Sequence, residues 1–412
     1  MRMKYINKGM KTGLLLTIVA MVILSSCNKK VEQFYDPAPV VSTAPSLAAT
    51  IAAIPNDSLY YKLIIRGGLL NMISLKPNAK DTVFTMFVPD NPAMRSFINL
   101  ISGGATIGYT DAQYVGFINT AISASTAYSI VSYNMIPQFI RMASVPSTFP
   151  NWFYPTNLNP TSGAGFNPLV RLTTSPSTRN GNWVNNVPLT SVDLVAYNGI
   201  IHTAAAVPAP PSVPLWSRIA TDPDLTYLKA AVQRADSGVS TTTSASLEWA
   251  LTNFGPNLTV FAPSNLAFQN LIFGLVYAQV FAATGNAALA TAFANAAVAA
   301  GPAFLGSANL TTQQVKGIVV YHLLGSRAFT NNFPTTITYY PTLLNGGIPT
   351  HPGIGLTATF TAGQVSAATV KGVGNATASN IAINPFPNPF GTSDQHFING
   401  SLHKINQVLL PQ

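Results

Sequence analysis

Five histidines, twelve carboxylates and a single cysteine supply the acid–base, metal-ligand and thiol chemistry open to this 412-residue chain. The histidines are His202, His322, His351, His396 and His403. A metal site needs several such ligands converging, with outer partners that orient them. His202 and His403 occupy the same place in two distant copies of one pattern, so each reads as a structural histidine beside a turn, hydrogen-bonded to backbone. His396 and His403 flank the last of those turns, and a weak metal pair across it is conceivable. His322, next to Tyr321 in an apolar stretch, reads as a buried imidazole satisfied by a neighbour. The carboxylates are scattered, and the closest pair, Asp222 and Asp224, reads as a helix start. A glycine-rich phosphate loop, a His-Glu-x-x-His pattern and paired Cys-x-x-Cys are absent, as is the Gly-x-Ser-x-Gly nucleophile elbow. No catalytic, cofactor or metal residue is expected, and the chain reads as a non-enzyme.

The lone cysteine, Cys27, has a different chemistry in view. Arg2, Lys4, Lys8 and Lys11 precede an apolar run, Gly13 to Leu24, which ends in Leu24, Ser25, Ser26 and Cys27. The run is too short for a bilayer span, which needs about 20 residues, and has the layout of a secretory signal. Its end resembles a bacterial lipobox, which implies cleavage before Cys27 and lipidation of its thiol. Multiple acyl chains give stable anchoring where one is marginal. With no second cysteine, no internal disulfide forms.

The elements that must position everything else are written twice. Thr85, Phe87, Pro89, Asn91, Ala93 and Met94 recur 174 positions later as Thr259, Phe261, Pro263, Asn265, Ala267 and Phe268. Repetition of this kind decides the architecture. An apolar segment suits a buried strand; the proline ends it because it cannot donate to a ladder; Asp90 or Ser264 then caps a helix, with Pro92 tolerated in its first turn. A second pattern follows each copy: Asn198, Gly199 and His202, then Asn399, Gly400 and His403. Asn-Gly offers the positive backbone angles of a tight hairpin turn, so both copies read as closing hairpins.

These two patterns, in this order, resemble those of the fasciclin-like (FAS1) family, whose opening box is T-V-F-A-P-x-N-x-A-F and whose closing box is N-G-x-x-H followed by V-L-x-P. The second copy ends accordingly on Val408, Leu409, Leu410 and Pro411; the first has the weaker Ala206, Val207 and Pro208. A family Tyr-His pair is matched by Tyr321 and His322, whereas the first copy has Tyr133 and Asn134. The resemblance implies an α+β fold: two tandem domains, each a small antiparallel β-sandwich with helices packed at one side. The motif residues, including Tyr133, would be structural. The expected organisation is a lipoprotein signal at 1–26, a tether at 27–45, a divergent domain at 46–208 and a closer family match at 209–412. A proline-rich spacer, Val207 to Pro214, joins the repeats, so they should touch or nearly touch.

Composition narrows the partners. Charged residues are 8% of the chain against 48% hydrophobic, whereas soluble domains average about 25% charged. The net charge of +9 includes four basic residues of the signal; without them the charges are scattered and form no basic stripe, which argues against nucleic acid. Each repeat opens helically, near 46–71 and 214–236, with Leu215, Ile219, Leu225, Leu228 and Val232 at helical spacing. Residues 249–315 lack Asp, Glu, Lys and Arg. Their alanine-rich part, 276–300, is expected to form buried helices rather than a span. Rigid aromatics on loops can bind sugars or proteins at low entropic cost. Phe386 and Phe390 are the candidate ligand loop, with Trp152, Phe153, Tyr154 and Trp183 in the variable part of the first repeat. The expected function is a lipid-anchored, non-enzymatic binding or adhesion protein of a Gram-negative (Bacteroidetes-type) cell envelope. It would sit at the outer membrane with a protein or glycan ligand; the alternative is a glycan-binding accessory of a polysaccharide uptake system.

Overall fold

The computed structural model describes residues 43–75, 83–160, 170–307, 310–384 and 391–412. Cys27, the signal, nearly all of the tether, Phe386 and Phe390 lie outside the described residues. Val40–Gln412 packs as one compact unit, and within it two sheets are built on the same plan.

The first repeat opens with helices α1 (Leu47–Ala53), α2 (Ser58–Arg66) and α3 (Leu70–Ser74). Strand β1 (Phe84–Pro89) follows, buried at every position. Asp90 accepts the Ala93 amide at 2.9 Å and starts α4 (Asn91–Ile101); α5 (Asp111–Thr120) and α6 (Ala124–Tyr133) complete the helical layer. The strands that follow are β2 (Met135–Ile136), β3 (Tyr154–Pro155), β4 (Thr173–Thr174), β5 (Pro176–Ser177), β6 (Trp183–Val184), β7 (Val187–Ala196) and β8 (Gly199–Ala204). The second repeat runs α7 (Leu215–Thr221), α8 (Thr226–Ala235), α9 (Leu247–Thr252), β9 (Leu258–Pro263), α10 (Asn265–Thr284), α11 (Ala287–Ala299) and α12 (Thr312–Tyr321). Its later strands are β10 (Leu323–Leu324), β11 (Thr338–Tyr340), β12 (Ile354–Thr361), β13 (Gln364–Lys371), β14 (Ser379–Ile381), β15 (Gln395–Phe397) and β16 (Gly400–Ile405).

Among the described residues one large sheet has the order β2-β1-β8-β7-β6-β5 and the other large sheet β10-β9-β16-β14-β13-β12-β11, with β15 also on β16; β3 and β4 form a separate two-stranded sheet. The expectation of purely antiparallel sheets is corrected by their centres. β1 pairs with β8 in parallel, Phe84 opposite Gly199, and β9 pairs with β16 in parallel, Leu258 opposite Gly400. Alternation alone could not reveal this, because both faces of these strands are covered and burial barely alternates along them. Met86 and Val88 face the helices with Leu47, Leu63 and Ile98, while Phe87 enters a second cluster with Ile136 and Val187. Val260 and Ala262 face the helices of the second repeat, and Phe261 packs with Leu356 and Val370 on the opposite face. Each of these side chains larger than alanine, fully buried, contributes about 1.5–3 kcal/mol.

The Asn-Gly turn is also corrected. The two-residue loops are Tyr197–Asn198 and Ile398–Asn399, because Ala196 pairs with Gly199 and Phe397 with Gly400. None of these loop or glycine residues has positive φ. Glycine is required for closeness instead: a Cβ on Gly199 would lie 2.1 Å from the Phe84 carbonyl oxygen and 2.8 Å from Leu47, and one on Gly400 2.1 Å from the Leu258 oxygen and 2.7 Å from Leu215.

The third correction concerns α10 and α11. They were expected to be buried, yet α10 buries only Ala267, Phe268 and Ile272 and α11 only Ala290 and Ala294. They pack on each other as a hairpin whose far half stands in solvent.

Candidate functional site

The repeated motif residues perform one set of tasks twice. Thr85 Oγ1 donates to the Gln138 carbonyl (2.7 Å) and accepts from the Ile140 amide (2.9 Å); Thr259 Oγ1 donates to Ser326 O (2.6 Å) and accepts from Ala328 N (2.8 Å). Asn91 accepts the Leu59 amide and donates to Pro55 O, as Asn265 does with Tyr227 N and Pro223 O. Pro89 and Pro263 close the strands as the last partners of Ala204 and Ile405. Phe268 lies in the core, stacked 5.7 Å from Tyr227. Asn198 accepts the first amide of α1, Leu47 N (2.8 Å), and donates to Ile73 O and Leu75 O. Asn399 accepts the first amide of α7, Leu215 N (2.9 Å), and donates to Leu251 O and Asn253 O. One side chain thus satisfies a free donor at one helix end and free carbonyls past another, groups that are costly to bury unpaired.

The histidines are equally committed. His202 Nδ1 accepts from Asp193 N (3.1 Å) and Nε2 donates to Ile140 O (3.0 Å). His403 Nδ1 accepts from Asp394 N (3.1 Å) and Nε2 donates to Ala328 O (3.1 Å). Both acceptor roles are forced, since a backbone amide only donates. Asp193 and Asp394 are both left-handed, with φ of 63° and 51°, a region open to Asp. The rings pack 5.6 Å from Phe87 and 5.6 Å from Phe261. Burial holds both imidazoles below the usual histidine range, against the pull of Asp193 and Asp394.

The Tyr-His position is where the repeats part. His322 Nδ1 donates to Ile318 O (2.8 Å) while Nε2 accepts from Leu409 N (2.8 Å), tying α12 to the closing segment. Burial brings its pKa down to about 4. Asn134 keeps the donation to the carbonyl four residues back, Ile130 O (2.8 Å), but offers the closing segment a donor, to Pro208 O (3.0 Å). Tyr321 OH stays inside its own repeat, on Gly353 O (2.7 Å) and Val373 N (3.0 Å). Tyr133 OH instead reaches across to the second repeat, 3.2 Å from His396 Nδ1.

That hydroxyl belongs to a buried polar seam. Arg327, 2% exposed, donates from Nη1 to His396 Nε2 and from Nη2 to Ile398 O at 3.2 Å. His396 Nδ1 therefore carries the proton and donates to Tyr133, which also accepts from Asn185 Nδ2 (3.1 Å) and donates to Thr173 O (3.1 Å). Arg327 lies 5.8 Å from the centre of the Phe153 ring, and no carboxylate among the described residues pairs with it. Burial lowers the Arg327 pKa to about 10; burial first, and then Arg327, hold His396 well below its usual range. Burial also pushes the Tyr133 hydroxyl up to about 12.

Asparagines complete the seam. Asn332 accepts from Ser177 Oγ (2.9 Å) and donates to Thr148 O (3.0 Å). Asn331 donates to Asn185 O (3.1 Å), and Asn180 donates to Asn331 O (2.9 Å) and Phe333 O (3.0 Å). A pocket of about 160 Å³ lies beside it, lined by Leu158, Asn159, Leu172, Pro210, Pro211 and Ile398. Ligand pockets usually measure about 300 Å³ or more.

The conceivable His396–His403 metal pair is ruled out by these partners: all four ring nitrogens are engaged elsewhere. Of the first-repeat aromatics, Trp183 is buried and Phe153 faces Arg327. Trp152 alone of the four stands well out, 57% exposed. Sequence reading missed Arg327 and the asparagines. The available signal was isolation, since Arg327 is the only charged residue between Lys316 and Lys371.

No family model matches the chain, and no curated protein matches it. A solved structure of a FAS1 domain pair from the insect cell adhesion molecule Fasciclin I is similar at 15% identity, covering 86% of this chain and 97% of that one with a TM-score of 0.31. That is a loose superposition at low identity.

Proposed function

We propose that the chain is a non-enzymatic binding or adhesion protein: two FAS1-like domains, 46–208 and 209–412, held at a bacterial outer membrane by a lipid on Cys27. The observation that carries the reading is the duplicated framework: the same Thr, Asn, Gly and His contacts made independently in each half. Against turnover stands the commitment of His202, His322, His396 and His403 to structural partners, which leaves these imidazoles no free nitrogen for a nucleophile or base. Recognition then falls to exposed surface, at a protein or glycan ligand.

Two experiments test it. Cells grown with labelled palmitate should label the protein, and Cys27→Ala should abolish the label; continued labelling of that variant refutes the anchor. The chain displayed on beads should hold them to envelope protein or to glycan. Retention on a glycan array that is lost in Phe386→Ala/Phe390→Ala or Trp152→Ala selects the glycan-binding accessory role. Measurable hydrolysis of a glycan or ester panel refutes the non-enzymatic assignment.

A further inference from the structure

The α10–α11 hairpin is the part of the molecule that water should not tolerate. The whole stretch 249–315 has no Asp, Glu, Lys or Arg. Among the described residues α10 alone is long and apolar enough to cross a membrane by composition, yet only 17% of that apolar stretch is buried. Ile272 is the last buried side chain of α10, Val276, Ala297 and Val298 pack partly buried against the core, and Leu275, Phe281, Leu289 and Phe293 are 39–54% exposed. Phe273, Tyr277 and Phe281 stack along one side at 6.1 and 5.8 Å.

A helix apolar all round is at home in a protein interior or in lipid. A protein partner would cover one side of such a hairpin and leave the other in water, whereas a bilayer surrounds it. Lipid further demands that backbone groups be satisfied internally, and several groups at the tip are. Gly285 N bonds to Phe281 O (2.8 Å). Thr284 Oγ1 donates to Val280 O (2.7 Å) and accepts from Asn286 N (3.2 Å). Asn286 accepts from Leu289 N (3.0 Å), and Thr291 donates to Ala287 O (2.8 Å). These partners are all within the hairpin.

We propose that the tip of this hairpin, about Val280 to Phe293, inserts into the outer part of a lipid bilayer. Length sets the depth. At about 1.5 Å per residue, Phe293 lies about 10 Å from the tip, which matches the 5–10 Å reached by interfacial helices. Gln279 and Asn295, the polar side chains behind the tip, then meet the headgroups. The hairpin would be a second, reversible contact with the membrane, independent of any lipid on Cys27.

The test uses Val40–Gln412, the compact unit, which carries no cysteine. A single Ala288→Cys, labelled with the fluorophore NBD, reports on the tip, and a Thr242→Cys label is the control on an exposed turn. With vesicles of phosphatidylethanolamine and phosphatidylglycerol, the Ala288 label should shift to the blue and brighten while the Thr242 label does not. Phe281→Asp and Leu289→Asp, both at exposed sites, should each cut partitioning about tenfold and leave the circular dichroism unchanged. An Ala288 label that stays aqueous at saturating lipid overturns the proposal. So does vesicle binding that ignores both aspartates, which would be electrostatic adsorption. A stable dimer in sedimentation velocity, dissolved by Phe293→Asp, would mean that a second copy covers the face, and overturns it equally.

Discussion

Replacing His322 by asparagine, the residue at the matching place in the first repeat, should remove a defined part of the acid sensitivity of folding. In the folded chain His322 is neutral by necessity. Leu409 N can only donate, so Nε2 must accept, and the proton sits on Nδ1 toward Ile318 O. A second proton would face the Leu409 amide. Burial accordingly displaces the pKa from 6.5 to about 4. Each tenfold change in proton affinity is worth about 1.4 kcal/mol, so the displacement is worth about 3 kcal/mol. The sign follows from linkage: between pH 6.5 and 4 the unfolded chain takes up a proton that the folded chain refuses. The contribution is therefore complete above pH 6.5 and is lost as pH falls toward 4. Asp57 acts in the opposite sense, because burial and then Asp90 raise its pKa to about 6. The informative quantity is thus the difference between the chain and its His322→Asn variant in urea unfolding. At pH 7 the variant should be less stable by about 2 kcal/mol, having lost ring packing and the fit to Leu409. At pH 4 the two should converge or invert. A gap of the same size at both pH values would refute the neutral-histidine argument.

Other outcomes follow from the same geometry. Gly400→Ala drives a Cβ against the Leu258 carbonyl and Leu215 and should cost about 3 kcal/mol or more in denaturant unfolding, as should Gly199→Ala. Arg327→Met removes a buried cation with no carboxylate partner among the described residues but leaves His396 Nε2 and the Ile398 carbonyl without their donor, and should cost about 1–3 kcal/mol in thermal unfolding. Asn331→Ala with Asn332→Ala should loosen the seam, splitting the calorimetric transition in two and exposing 207–214 to protease. A single transition with unchanged protease resistance would mean that the repeats are held together by something other than this seam.

The sequence was most informative where one side chain has one local task. Asp90 and Ser264 cap their helices as a polar residue before an apolar run should, and the opening and closing boxes mark β1, β9, β8 and β16. It was least informative where the task depends on distant residues. Asn198 and Gly199 read locally as a turn with positive angles, yet Asn198 serves Leu47 and Leu75, and Gly199 makes room for Phe84 and Leu47. The parallel pairing of β1 with β8 leaves no periodic trace because both faces are covered. For α10 and α11, hydropathy alone could not tell a core helix from one that stands in solvent. Tyr133 was legible as the counterpart of Tyr321 in the other repeat; that it turns outward to His396 while Tyr321 turns inward to Gly353 was not.

Amide hydrogen exchange on the intact chain tests most directly the central claim, that two like frameworks are each closed by their own asparagine. Asn198→Ala should deprotect Leu47 N and the α1 and α3 ends while leaving Leu215 N slow; Asn399→Ala should do the reverse at Leu215 N and the α7 and α9 ends. Loss of protection at the same amides in both variants would contradict it.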